Sequence, residues 1–154
     1  MVYSRLLDLQ TPIARKSLFL FGPRQTGKTF YLKGTFPEAP YYDLLQSKDF
    51  FRLSQRPGLI REELTSADPV KFPVIIDEIQ KLPILLDEVH SLIEGEKIRF
   101  ILTGSSARKL KRGGANLLGG RAATFHLFPL VSKEIPDFNL IRALNWGTLP
   151  PIYP

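Results

Sequence analysis

The sequence predicts a three-layer α/β sandwich on a parallel five-stranded sheet, and three observations carry that prediction. Short, wholly apolar runs such as Leu18-Phe19-Leu20-Phe21 and Val74-Ile75-Ile76 recur along the chain, the pattern of strands buried on both faces. Segments with apolar residues at helical spacing lie between them. Strands and helices alternate, so successive strands are joined by right-handed crossovers and share one sheet.

Leu18 to Phe21 is the first strand, stopped by Gly22-Pro23. Gly27 to Lys33 then forms a short helix, halted by Gly34 and Pro37. Tyr41 to Leu45 reads as the second strand. From Lys48 to Leu64 the residues Phe50, Phe51, Leu53, Leu59, Ile60 and Leu64 keep near-helical spacing, and Pro57-Gly58 divides them into two helices. Val74-Ile75-Ile76, β-branched throughout, is the third strand. Pro83 opens a helix with Ile84, Leu85, Val89, Leu92 and Ile93 on its apolar face and Asp87, Glu88, His90 and Glu94 toward water. Ile98 to Leu102 is the fourth strand, followed by a polar turn, Thr103-Gly104-Ser105-Ser106, that caps a basic helix. Thr124 to Phe128 alternates up to Pro129 and forms the fifth strand.

A chain of 154 residues fits one domain, able to bury about two-thirds of its unfolded surface. The absence of cysteine excludes disulfides and thiolate metal sites. Arg5 and Asp8 interrupt the amino-terminal region where an export signal needs an unbroken apolar stretch, and no apolar run approaches bilayer-spanning length. A cytoplasmic location without membrane contact is therefore expected. The 21 basic and 15 acidic residues leave +6, which favours polyanionic partners.

Gly22-Pro23-Arg24-Gln25-Thr26-Gly27-Lys28-Thr29 matches G-x-x-x-x-G-K-[ST] in full, between an apolar run and a helix. The chemistry of such a loop follows from geometry. Backbone N–H groups and the helix's amino-terminal end face an anion, while the glycines allow close approach. Lys28 neutralises the β/γ-phosphates and the Thr29 hydroxyl is offered to Mg²⁺; Pro23, having no N–H, shapes the loop. The Val74-Ile75-Ile76 run ends in Asp77 and Glu78, at the carboxyl end of a strand, where ligands of open α/β sheets sit. Asp77 is expected to hold Mg²⁺ and Glu78 to polarise the attacking water.

Other candidates keep two readings each. A hydroxyl among Thr103, Ser105 and Ser106 either senses the γ-phosphate or caps the following helix. The basic run Arg108, Lys109, Lys111 and Arg112 is either a nucleic-acid footprint or a solvated helix face. Arg121 reaches phosphate, in its own or a neighbouring subunit, or makes a structural ion pair. His90 and His126 lack a second ligand at metal spacing and read as structural, and Trp146, Phe50 and Phe51 as packing residues.

At these residues the chain resembles a family of bacterial and archaeal AAA-like P-loop ATPases. Members read GPRQTGKT at the loop and DEIQKLP after an apolar strand, and both stand here, as Gly22 to Thr29 and Asp77 to Pro83. The resemblance continues through Phe100 to Ala107, Asn116 to Arg121 and Phe128-Pro129-Leu130. It implies sheet order 5-1-4-3-2, Lys28 and Thr29 on phosphate and metal, Asp77 on Mg²⁺, Glu78 on water, Ser105 or Ser106 at the sensor position, and Arg121 as the Gly-Arg element near the γ-phosphate. Residues 1–130 then form the ATPase core and 131–154 the start of a lid. Members of the family run on into a nuclease-like domain where this sequence stops at Pro154, so it resembles a truncated member, with lid closure and self-assembly both affected.

Mg-ATP hydrolysis is the function these features predict. Its competitors are a nucleotide-binding module without efficient turnover and a nucleic-acid-associated ATPase using 108–112. A small-molecule kinase shares the loop, but the Asp-Glu pair argues for activating water instead.

Overall fold

The computed structural model describes residues 3–66, 71–112 and 118–153, except for the side chains of Lys109, Lys111 and Arg112. In chain order the elements are α1 (Gln10–Ile13), β1 (Ser17–Phe21), α2 (Lys28–Thr35), β2 (Tyr41–Asp43), α3 (Ser47–Gln55), α4 (Leu59–Thr65), β3 (Val74–Asp77), α5 (Leu85–Gly95), β4 (Phe100–Gly104), α6 (Ala107–Arg112), β5 (Ala122–His126) and α7 (Leu140–Trp146). All strand pairings are parallel, in the order β2-β3-β4-β1-β5. Read from the other edge this is 5-1-4-3-2, as the resemblance implied.

Strand alternation divides the core in two. Phe19, Phe21, Ile76, Phe100 and Leu102 face one layer, against Leu53, Ile60, Leu85, Val89 and Leu92 of α3, α4 and α5. Leu18, Leu20, Ile75 and Ile101 face the other, against Leu9, Ile13 and Leu32. Each such side chain contributes about 1.5–3 kcal/mol through burial, so the central strands β1, β3 and β4, buried along their whole length, anchor the domain. Tyr41, Asp77 and Thr103 share the parity of Ile75 and Ile101, which turns their side chains to the α2 face.

Several boundaries differ from the expectation. Thr103 and Gly104 belong to β4 and not to a turn, because Leu20 and Phe21 of β1 pair with them and extend the ladder. Pairing also moves β5, which starts at Ala122 opposite Ser17 and ends at His126. Ile84 stands exposed at the N-cap of α5, and Leu86 takes its place in the core. α1 and α7 were not anticipated. Both are short, and α7 buries none of its residues, leaving Leu140, Ile141 and Leu144 exposed. After β5 the chain returns toward the amino terminus, where Leu130, Ile135 and Tyr153 form a third, small apolar cluster with Tyr3. Among the described residues no helix is long and apolar enough to cross a membrane.

Candidate functional site

β1 delivers the chain into the Gly22–Thr29 loop at the carboxyl edge of the sheet. Gly22 passes so close to the segment after β5 that a Cβ on it would stand 2.2 Å from the Leu127 carbonyl oxygen. That wall is backbone and cannot yield. Gly22→Ala is expected to destabilise the domain by about 1–3 kcal/mol or more, read as a lowered urea midpoint. Gln25 and Gly27 both adopt left-handed backbone, with φ of 67° and 87°, which folds the loop back over the start of α2. Thr26 is buried and donates through Oγ1 to the Pro23 carbonyl at 2.9 Å.

Lys28 is the first residue of α2, and its ammonium turns onto the loop, donating to the carbonyls of Gly22 at 2.7 Å and Pro23 at 2.9 Å. Burial pulls its pKa below the usual lysine range, while Glu78 and then Asp77 oppose that shift. An ammonium in this position gains from any further anion.

Asp77 ends β3 and is almost wholly buried. Three hydroxyls donate to it: Thr29 Oγ1 at 2.7 Å and Tyr41 OH on one oxygen, Thr103 Oγ1 on the other. The loop and the carboxylates therefore meet directly, through Thr29 and Asp77. Burial, and then the hydrogen bond to Asp77, push the Tyr41 phenol well above its usual pKa and keep it a donor. Glu78 follows in left-handed backbone, φ 61°, an arrangement costly for a residue with a side chain. Its N–H is held by Thr103 Oγ1 at 3.1 Å, and its carboxylate accepts from the Gln80 amide.

Two cavities flank the loop. One, of about 270 Å³, is lined by Gly22, Pro23, Ser105, Arg108 and His126 among others, with the His126 ring stacked on Phe128. Ser105 is thus near the loop, but its buried hydroxyl has no hydrogen-bond partner among the described residues; of the three candidate hydroxyls, Thr103 is the one that donates to the Asp77 carboxylate and accepts from the Glu78 N–H. The other cavity, of about 950 Å³, opens beside Gln25, Thr26 and Gly27 and is walled by Tyr3, Tyr31 and Tyr153.

Arg121 is not brought to the loop. It precedes Ala122, which pairs with Ser17, so it stands at the amino edge of the sheet, roughly 13 Å of β1 away from Phe21. There it forms an ion pair with Glu94 of α5. A role for Arg121 on the γ-phosphate within its own chain is corrected by this register. In the basic run, Leu110 packs in the core and Arg108 is exposed; Lys109, Lys111 and Arg112 have side chains outside the described residues.

Tyr41, Gln80 and Arg5 join the site without having been singled out as functional, whereas Thr103 was one of the three hydroxyls offered as a phosphate sensor. Thr103 had a signal, a polar residue ending an apolar run. For Tyr41 and Arg5 there was none, since both act on residues far along the chain: Arg5 donates to the Thr26 carbonyl at 3.1 Å.

A parallel sheet in this order, with a Gly-Lys-Thr loop after β1 and an acidic pair at the end of β3, two strands away across β4, defines a P-loop nucleotide-binding domain. The AAA domain family model matches residues 14–136, and the chain belongs to that family of AAA-like ATPases. A search of curated proteins finds no match.

Proposed function

We propose that this chain binds ATP with Mg²⁺ and hydrolyses it. The observation that carries the reading is the 2.7 Å contact between Thr29 Oγ1 and Asp77, which joins the anion-binding loop to the acidic pair. Because the Thr29 hydroxyl donates its proton to Asp77, its lone pairs are left for a cation. A hydroxyl and a carboxylate are the few hard oxygen ligands that Mg²⁺ takes from a protein when phosphates and water supply the rest, so the residues present fit the ion. Bound there, Mg²⁺ would neutralise charge on the phosphates.

The triphosphate lies over Gly22–Thr29, held by the free N–H groups at the start of α2 and by Lys28, which exchanges its loop carbonyls for phosphate oxygens. Tyr41 and Thr103 fix the Asp77 carboxylate, and Glu78 takes the proton of the attacking water. The nucleoside occupies the cavity walled by Tyr3, Tyr31 and Tyr153, whose rings suit a base. Since Pro150, Pro151 and Tyr153 also line it, residues 131–153 act as the start of a lid. Ser105, beside the loop with a hydroxyl that has no partner among the described residues, is the phosphate sensor in this reading. For Arg121 the remaining catalytic use is on nucleotide held by a neighbouring subunit.

Titrating ATP and following Mg-dependent phosphate release tests the proposal. Lys28→Ala is expected to weaken binding roughly 10- to 150-fold, the equivalent of about 1.5–3 kcal/mol for lost charge-assisted hydrogen bonds. ATP bound as tightly by Lys28→Ala as by wild type would refute it. Tight binding with no turnover would leave a nucleotide-binding module instead.

A further inference from the structure

Gln80 lies in the single 3-10 turn Ile79–Lys81 that follows the acidic pair. Its Nε2 donates to Glu78 Oε2, while its Oε1 is buried with no hydrogen-bond partner among the described residues. That oxygen rests against Gly104 of β4, where a Cβ would stand only 2.6 Å from it. An ionised carboxylate can only accept, so the amide must present its NH₂ to Glu78 and leave its oxygen facing β4. An unpaired buried acceptor is unfavourable, and a left-handed Glu78 adds to that cost. Both are maintained by their surroundings: Thr103 ties the Glu78 N–H, the Lys81 N–H closes the turn onto the Glu78 carbonyl at 2.9 Å, and Gly104 leaves room for the amide.

We propose that Gln80 is the positioning residue that aims the Glu78 carboxylate, with Gly104 as the surface on which its amide rests. The inference depends on the reading of Glu78 as the group that takes the proton of water. Gln80 acts through Glu78 alone, so removing it misdirects the base without disturbing the phosphate-binding loop. Gly104→Ala offers an independent route to the same defect. Its Cβ meets the far end of a flexible side chain, which can swing away at little cost to the fold, but the amide then leaves Glu78.

The test compares kcat, KM and ATP affinity of the full chain in wild type, Glu78→Gln, Gln80→Met, Gly104→Ala and the double variant Glu78→Gln with Gln80→Met. Gln80→Met and Gly104→Ala are each expected to lower kcat about 10²-fold, the scale of a small misplacement of a reacting group, with ATP affinity retained. The double variant should be no slower than Glu78→Gln alone, because a residue acting only through Glu78 has nothing left to position. Losses that multiply in the double variant, a wild-type kcat in Gln80→Met, or weakened ATP binding there would overturn the inference. Normal turnover by Glu78→Gln, or none by wild type, removes the role of Glu78 and this inference with it. Loss in Glu78→Gln beside normal kcat in Gln80→Met rejects the inference alone. A readout without nucleotide completes the test. The Gln80 side-chain amide protons should show one resonance displaced by a charge-assisted hydrogen bond, returning to the free-glutamine position in Glu78→Ala; a resonance indifferent to Glu78 would overturn the proposal even where a Gln80 variant failed to fold.

Discussion

Replacing Glu78 by Gln is expected to lower ATP turnover roughly 10²- to 10⁴-fold, the usual contribution of a positioned base, while nucleotide binding holds or tightens. The substitution keeps the shape of a nearly buried side chain and leaves the left-handed backbone and its tie to Thr103 in place. What disappears is a negative charge and its capacity to take a proton. That charge is also the larger of the two carboxylate influences that raise the Lys28 pKa against the effect of burial. With it neutralised, the buried ammonium has lost a counter-charge and gains more from the triphosphate. Phosphate release and ATP titration measured on the same preparation check both halves. Turnover near the wild-type rate would remove Glu78 from the chemistry, and a collapse of binding would assign it to holding nucleotide.

Glu134→Ala is expected to produce the largest loss of stability. Glu134 and Arg5 form an ion pair at 3.1 Å with side chains only 5% and 8% exposed. Glu134 also accepts from the N–H groups of Leu6 at 2.8 Å and Val131 at 3.1 Å, and Arg5 donates to the carbonyls of Thr26 and Phe128. Truncating the carboxylate leaves a buried guanidinium and two N–H groups without their partner. Breaking a buried pair in this way costs about 3–5 kcal/mol, or roughly 6–20 °C in Tm for a domain of this size. The exposed pair between Arg56 and Glu62 is the control, since its removal should change stability by less than about 0.5 kcal/mol. Because Arg5 reaches the Thr26 carbonyl, weaker ATP binding should accompany the loss. A melting temperature no lower than that of the Arg56→Ala control would show that solvent already serves both groups.

Much of this molecule was legible before any tertiary contact was known. Val74-Ile75-Ile76 could only be a strand buried on both faces, and Pro57-Gly58 did divide two helices. The Gly22–Thr29 loop announced its own setting, between strand and helix. Errors collected where pairing decides the outcome. Thr103 and Gly104 look like turn residues in isolation, yet β1 recruits them into β4. Arg121 follows two glycines in a manner that suits a phosphate contact, but the opposition of Ala122 and Ser17 sets it at the far edge of the sheet.

The amino-acid sequence by itself determined the order of the strands and of the helices between them, the anion-binding loop and the acidic pair, because each is written in a few contiguous residues whose periodicity or spacing is a local property. Only the tertiary structure decided that Tyr41 and Thr103 grip Asp77, that Gln80 rests on Gly104 beneath Glu78, and that Arg5 is held by Glu134 while touching the loop. Those pairings join segments remote along the chain. Their geometry comes from register and layer packing, which no local pattern of residues encodes.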